Sequence, residues 1–216
     1  MTAIDRLVAL YQTGGPVIGL LLAMSVTALA IVLAKIAQSV LTRSHRLGEA
    51  RAAVHAFTAG DIDQATDCVS AARSPAGQLV ARAIQGLQKA DTDEARLRED
   101  LARLGQAQLR RLRGGLRPLE LIASLAPLLG LLGTVLGMID AFQALEQTGT
   151  GSDPAVLSAG IWQALSTTAV GLAVAIPAVA AATWLEARVQ HLGEEMDSLV
   201  TELFTRRPAR LDQQAS

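Results

Sequence analysis

Read at alternating steps of four and three, residues 160–203 place Ala164, Thr168, Gly171, Ala175, Ala178, Ala182, Leu185, Val189, Leu192, Met196, Leu199 and Leu203 on one unbroken face. That spacing predicts a single long helix. Up to Ala182 the face is almost all small, and the residues around it (Ile161, Leu165, Val170, Leu172, Val174, Ile176, Val179) are apolar as well. From Leu185 the face becomes large and apolar while the rest turns charged, with Glu186, Arg188, Glu194, Glu195, Asp197 and Glu202. Lipid gives no hydrophobic gain for burying Leu against Leu, so membrane helices meet through small residues. Water does give that gain, so a soluble helix uses Leu and Met. The helix is therefore expected to leave a bilayer and run on into water. Trp162 and Trp184 mark the two crossings, 22 residues apart. At the α-helical rise this is about 33 Å, one membrane thickness between aromatic belts.

Two further apolar blocks precede it. Pro16 to Ala34 is polar only at Ser25 and Thr27, and Lys35 closes it. Before it, residues 3–12 form a short amphipathic stretch ended by Gly14-Gly15-Pro16 and expected to lie at the interface. The second block, Leu119 to Phe142, contains Pro127 and the run Gly130-Leu-Leu-Gly133-Thr134-Val-Leu-Gly137, whose Gly133-x-x-x-Gly137 spacing is a close-packing signature. Between the first two blocks the pattern is soluble and helical, without strand-like alternation. Gly60-Asp61 and Ser74-Pro75 are helix-start signals there. From about Asp91 an amphipathic helix carries Leu97, Leu101, Leu104, Leu112 and Leu116 on one side, and Gly114-Gly115 with Pro118 reads as a bend rather than a stop. A polar turn at 144–157 precedes the third block, with Ser152 or Asp153 as its cap and Pro154 in its first turn.

The expected organisation is all-α. An interfacial segment (1–15) leads into a first span (16–37) and a soluble helical domain (38–117). A second span (118–143), a short loop (144–157), a third span (158–184) and a helical extension with tail (185–216) follow. Segment 38–117 carries thirteen arginines and lysines and the C-terminal tail four, whereas the 144–157 loop carries none. The excess of basic residues places the domain and the tail inside, and the N-terminus and short loop outside. Half of the residues are hydrophobic and the net charge is −1, so the basic excess that a phosphate-binding surface needs is missing and nucleic acid is not an expected partner. The lone Cys68 cannot form an intrachain disulfide and reads as a quiet, half-buried thiol. With no basic n-region or small-residue cleavage site, the N-terminus is expected to be retained.

Ala126-Pro-Leu-Leu-Gly-Leu-Leu-Gly-Thr-Val-Leu-Gly137 and Gly160-Ile-Trp-Gln-Ala-Leu-Ser-Thr-Thr-Ala-Val-Gly-Leu-Ala-Val-Ala-Ile-Pro177 resemble the last two spans of the MotA/TolQ/ExbB proton-channel family. Three spans fit the ExbB/TolQ branch rather than the four-span flagellar stators, and the likeness covers nearly the whole chain. The resemblance implies a bacterial inner-membrane homo-oligomer, a pentamer. It would enclose the single helices of an ExbD/TolR-like partner that bears a membrane carboxylate. Proton flow would drive work on a TonB- or TolA-like coupler.

The family's two pore threonines fall on Thr134 and Thr168. Hydroxyls in a dry bundle can hold water or orient a partner carboxylate. For Thr167, Ser166 and Ser124 the simpler reading is a bond to the residue's own helix. Gln163 stands where ExbB and TolQ commonly carry a glutamate, and an amide cannot exchange a proton near pH 7. No Asp, Glu, His, Lys or Arg lies between Leu121 and Ile139 or between Ile161 and Leu185. A relay through the pathway Thr134, Thr168 and Gln163 must therefore borrow its carboxylate from the partner. Asp140 is either an outer mouth that gathers cations or a solvated helix-end carboxylate. Gly130, Gly133, Gly137 and Gly171 are the expected close-packing positions. His45, His55 and His191 lack metal spacing, and no nucleotide loop or nucleophile–base pair is found, so neither a cofactor nor an enzyme is indicated. Two other classes stay open, a non-conducting membrane scaffold and a solute transporter. The second is disfavoured by three spans without internal repeats.

Overall fold

A computed structural model describes residues 3–89, 93–148 and 154–206. The described residues form six helices: α1 (Ala3–Thr58), α2 (Ile62–Ser70), α3 (Pro75–Leu87), α4 (Glu94–Gly114), α5 (Arg117–Thr148) and α6 (Pro154–Thr205). No strand occurs among the described residues. Among the described residues three stretches are long and apolar enough to cross a membrane: Gly15–Ala37, Arg117–Glu146 and a part of Leu157–Thr205.

The chain divides into two units. Unit 1 comprises residues 1–33 and 116–184, and unit 2 residues 34–115 and 185–216. In unit 1 the buried residues are mostly small: Ala123, Ala126, Gly130, Gly133, Gly137 and Ala141 of α5, and Ala164, Gly171, Ala175, Ala178 and Ala182 of α6. Most of its large apolar side chains point outward, among them Val26, Leu29, Leu128, Leu131, Leu165, Ile176 and Trp162, the last 71% exposed, while Ile18, Leu21, Leu116, Leu119, Ile122 and Val174 are buried. Such a surface would aggregate in water and is at home in lipid. Unit 2 is built the opposite way. Phe57, Leu79, Val80, Ile84, Leu87, Leu101, Met196, Leu199 and Leu203 close a core of large side chains drawn from α1, α3, α4 and α6.

Local signals set the helix ends. Gly15 departs from helical geometry (φ 61, ψ −156), so α1 is broken where Gly14-Gly15-Pro16 predicts. The end of α1 is a Schellman closure: Asp61 N–H bonds to Ala56 O and Gly60 N–H to Phe57 O, both at 3.0 Å, with Gly60 at φ 92. Asp61 then caps α2, its Oδ1 accepting from Gln64 N at 3.0 Å, and Ser74 Oγ caps α3, accepting from Gly77 N at 3.1 Å.

Lys35 closes the apolar run inside the candidate span Gly15–Ala37, while α1 itself continues to Thr58 because lysine is a good helix former. Two local expectations change. The Gly114-Gly115 interruption is a stop: α4 ends at Gly114, and α5 starts at Arg117 after two turn residues. Pro118 has no N–H to extend α4 and is tolerated in the first turn of a new helix. The second apolar helix runs to Thr148, beyond the expected 143, through the helix formers Ala144, Leu145, Glu146 and Gln147. The expected caps Ser152 and Asp153 lie outside the described residues, as does the tail beyond Arg206.

Candidate functional site in the membrane unit

The two motif helices of unit 1 meet through glycine. A Cβ on Gly130 would sit 3.1 Å from Thr168 Cα and 3.3 Å from Gly171 Cα. One on Gly171 would sit 2.7 Å from Ala126 O and 3.0 Å from Gly130 Cα, and one on Gly137 3.2 Å from Ala164 Cβ. The Gly133 position is filled from the other side by the Thr167 side chain, and that of Gly160 by Ala141. Backbone therefore lies against backbone along most of the contact. This close approach gives membrane helices their dispersion energy when lipid supplies no hydrophobic drive.

The hydroxyls are placed by the same contact. Thr168 Oγ1 donates across the helix pair to Gly130 O at 3.1 Å. Thr134 Oγ1 donates to Leu131 O of its own helix at 2.7 Å, so the two threonines address adjacent carbonyls on one turn of α5. Each hydroxyl proton is thereby used, which leaves oxygen lone pairs to accept from a guest. Thr167 is 2% exposed and donates to Gln163 O at 3.0 Å, the own-helix bond expected of it. Ser124 does the same with Glu120 O at 2.7 Å. Gln163 is half-buried on α6, and Asp140 stands exposed on α5, six residues before the end of the apolar stretch at Glu146. His55 and His191 lie in unit 2, the side chain of His45 lies outside the described residues, and no cluster of metal-ligating side chains occurs among the described residues.

Sequence reasoning missed two features. Gly160 and Ala141 extend the close contact by one more turn; the signal was there, since Gly160 precedes Ala164 by four residues on the same face. The other lies in unit 2, where Lys35 Nζ donates to Leu112 O at 3.0 Å. A Cβ on Gly115 would come within 2.5 Å of Lys35 Cε. No pattern in the chain signalled that lysine bond.

Comparison with known proteins agrees with this architecture. Residues 71–198 match the model of the MotA/TolQ/ExbB proton channel family. The biopolymer transport protein ExbB of Neisseria meningitidis is 33% identical over 211 residues, a match spanning 91% of this chain and 94% of that protein. Two shorter matches are stronger locally. The biopolymer transport protein exbB1 of Vibrio cholerae is 49% identical over 90 residues, 41% of this chain and 40% of that protein. The Tol-Pal system protein TolQ of Haemophilus influenzae is 40% identical over 90 residues, 40% and 38% of the two chains. A glycine-packed helix pair carrying threonine, three apolar spans and near-full-length similarity to ExbB make this chain a membrane protein of the MotA/TolQ/ExbB proton channel family, on its ExbB/TolQ branch.

Proposed function

We propose that this chain is the channel-wall subunit of an inner-membrane motor of the ExbB–ExbD or TolQ–TolR type. In this reading five copies surround the single-span helices of an ExbD/TolR-like partner and use the proton motive force to energise a TonB- or TolA-like coupler. The N-terminus faces the periplasm, and unit 2 with the C-terminus faces the cytoplasm, as the thirteen basic residues of segment 38–117 favour. Thr134, Thr168 and Gln163 line the proton pathway, and Asp140 stands at its outer mouth. The relatives named ExbB and TolQ support the type of motor.

One observation carries the reading. The glycine-packed pair α5–α6 offers hydroxyls and an amide and nothing that titrates between Leu121 and Ile139 or between Ile161 and Leu185. Such a wall can orient a proton carrier but cannot be one, so the exchanging carboxylate belongs to the partner. A proton crossing 100 mV releases about 2.3 kcal/mol, enough to bias a moving helix between two seats when the carrier sits on that helix.

The test is proton flux into liposomes holding the chain and its single-span partner, wild type against Thr134→Val. A channel wall loses most of its flux in the variant. Equal flux in both proteins removes Thr134 from the pathway, and no flux in either while client function persists selects the alternative of a non-conducting scaffold. Gln163 in place of a carboxylate is the one feature of this chain that favours that alternative.

A further inference from the structure

We infer that the last turn of α4 is a docking patch for anionic phospholipid headgroups, held at the bilayer surface by Lys35. The placement comes from one bond within unit 2. Lys35 lies twenty residues beyond Gly15 on the first apolar helix. At the α-helical rise this is about 30 Å, the thickness of the hydrocarbon core. Lys35 Nζ is part-buried and bonds to Leu112 O at 3.0 Å, through space that Gly115 leaves free. The C-terminal turn of α4 is thus tied to the point where α1 leaves the apolar layer.

Three cations flank that tie. Arg110, Arg111 and Arg113 are exposed, and among the described residues none of them pairs with a carboxylate. Farther up the same helix each arginine has a partner: Arg96 meets Asp93 at 3.3 Å, Arg103 meets Asp100 at 3.1 Å, and Arg98 lies over the Phe204 ring, 4.5 Å from its centroid. A basic last turn complements the helix dipole. The dipole alone, however, does not require this turn to be fastened beside a membrane exit. Guanidinium forks fit phosphodiester oxygens in bidentate fashion, and each basic side chain at an anionic membrane surface adds about a fivefold gain in affinity. Three on one turn make a headgroup site that distinguishes phosphatidylglycerol from phosphatidylcholine.

The experiment uses the full chain purified in mild detergent and titrated with either lipid, reading retained lipid by native mass spectrometry. Wild type should retain phosphatidylglycerol at least tenfold over phosphatidylcholine. The triple variant R110Q/R111Q/R113Q should lose that preference, and a control of equal charge loss, R82Q/R96Q/R103Q, should keep it. Each single glutamine substitution should weaken retention about fivefold, which keeps the test open should the triple variant fold poorly. Undiminished preference in the triple or single variants, equal loss in the control, or displacement of the lipid by millimolar inorganic phosphate would overturn the inference.

Discussion

Thr168 Oγ1 bonds to Gly130 O at 3.1 Å because neither Gly130 nor Gly171 has a side chain to hold the two helices apart. The bond and the glycine contact are one feature. A hydroxyl on a short side chain reaches the carbonyl of a neighbouring helix only when the backbones nearly touch.

Thr168→Val keeps the shape and removes the donor, whereas Thr168→Ser keeps the donor. In detergent unfolding Val should cost about 0.6–1.5 kcal/mol and Ser less. Partner-dependent activity should vanish in Thr168→Val while the oligomer still forms, and should survive in part in Thr168→Ser. Normal activity of the Val variant would count against the pore assignment.

Gly171→Ala places a methyl 2.7 Å from Ala126 O and 3.0 Å from Gly130 Cα, both backbone atoms that cannot yield without parting the helices. The expected cost is about 1–3 kcal/mol. Gly48→Ala in α1 is the control: nothing lies within 4 Å of its added Cβ, so stability should hold or rise by about 0.5–1 kcal/mol. Thermal midpoints of the two variants in the same detergent decide the matter.

Gln163→Glu puts a titratable group into a span that has none between Ile161 and Leu185. If that face meets the proton path, flux and its pH profile change together. A scaffold would show the same client function at every pH as the wild type.

In unit 2, Arg51 Nη2 donates to Glu195 Oε2, and His191 Nε2 lies 3.9 Å from Glu195 Oε1. The hydrogen bond from Arg51 holds the Glu195 carboxyl below its ordinary value of 4.5, against the opposing effect of burial. A depressed carboxyl stabilises the fold above the unfolded value and loses that contribution as pH falls through the folded one. The stability gap between wild type and Glu195→Gln should therefore be full near neutrality and close progressively below about pH 4.5. It should be small, since the Arg51 side chain is 61% exposed. A gap unchanged down to pH 3 would remove Arg51–Glu195 as its source.

Gly115→Ala and Lys35→Met should act through one bond. A methyl at 115 meets the flexible tip of Lys35, 2.5 Å from Cε and 2.6 Å from Nζ, so it displaces the amine from Leu112 O rather than breaking the fold. Each should cost about 1 kcal/mol, and the double variant no more than either alone. Additive losses in a double-mutant cycle would separate the two residues.

Much of the architecture was legible in the chain because two solvents leave different signatures. On α6 the buried face passes from Ala164, Gly171, Ala175, Ala178 and Ala182 to Leu185, Met196, Leu199 and Leu203, the order in which small gives way to large along the sequence. Caps at Asp61 and Ser74 were legible too, since their chemistry is local. The stop at Gly114 was not read correctly. Two glycines before a proline suit either a bend or a new helix, and the choice depends on whether the carbonyls at the end of α4 find other donors.

Composition and periodicity by themselves determined three apolar spans, a soluble helical unit and the absence of ionisable groups between Leu121 and Ile139 and between Ile161 and Leu185. Only the tertiary structure decided which carbonyl each hydroxyl and amine would take: Gly130 for Thr168, Leu131 for Thr134, Leu112 for Lys35. Side-chain type and spacing state what a residue can donate. Which acceptor lies within hydrogen-bond reach depends on how closely distant segments approach, and that distance is set by the side chains glycine leaves out.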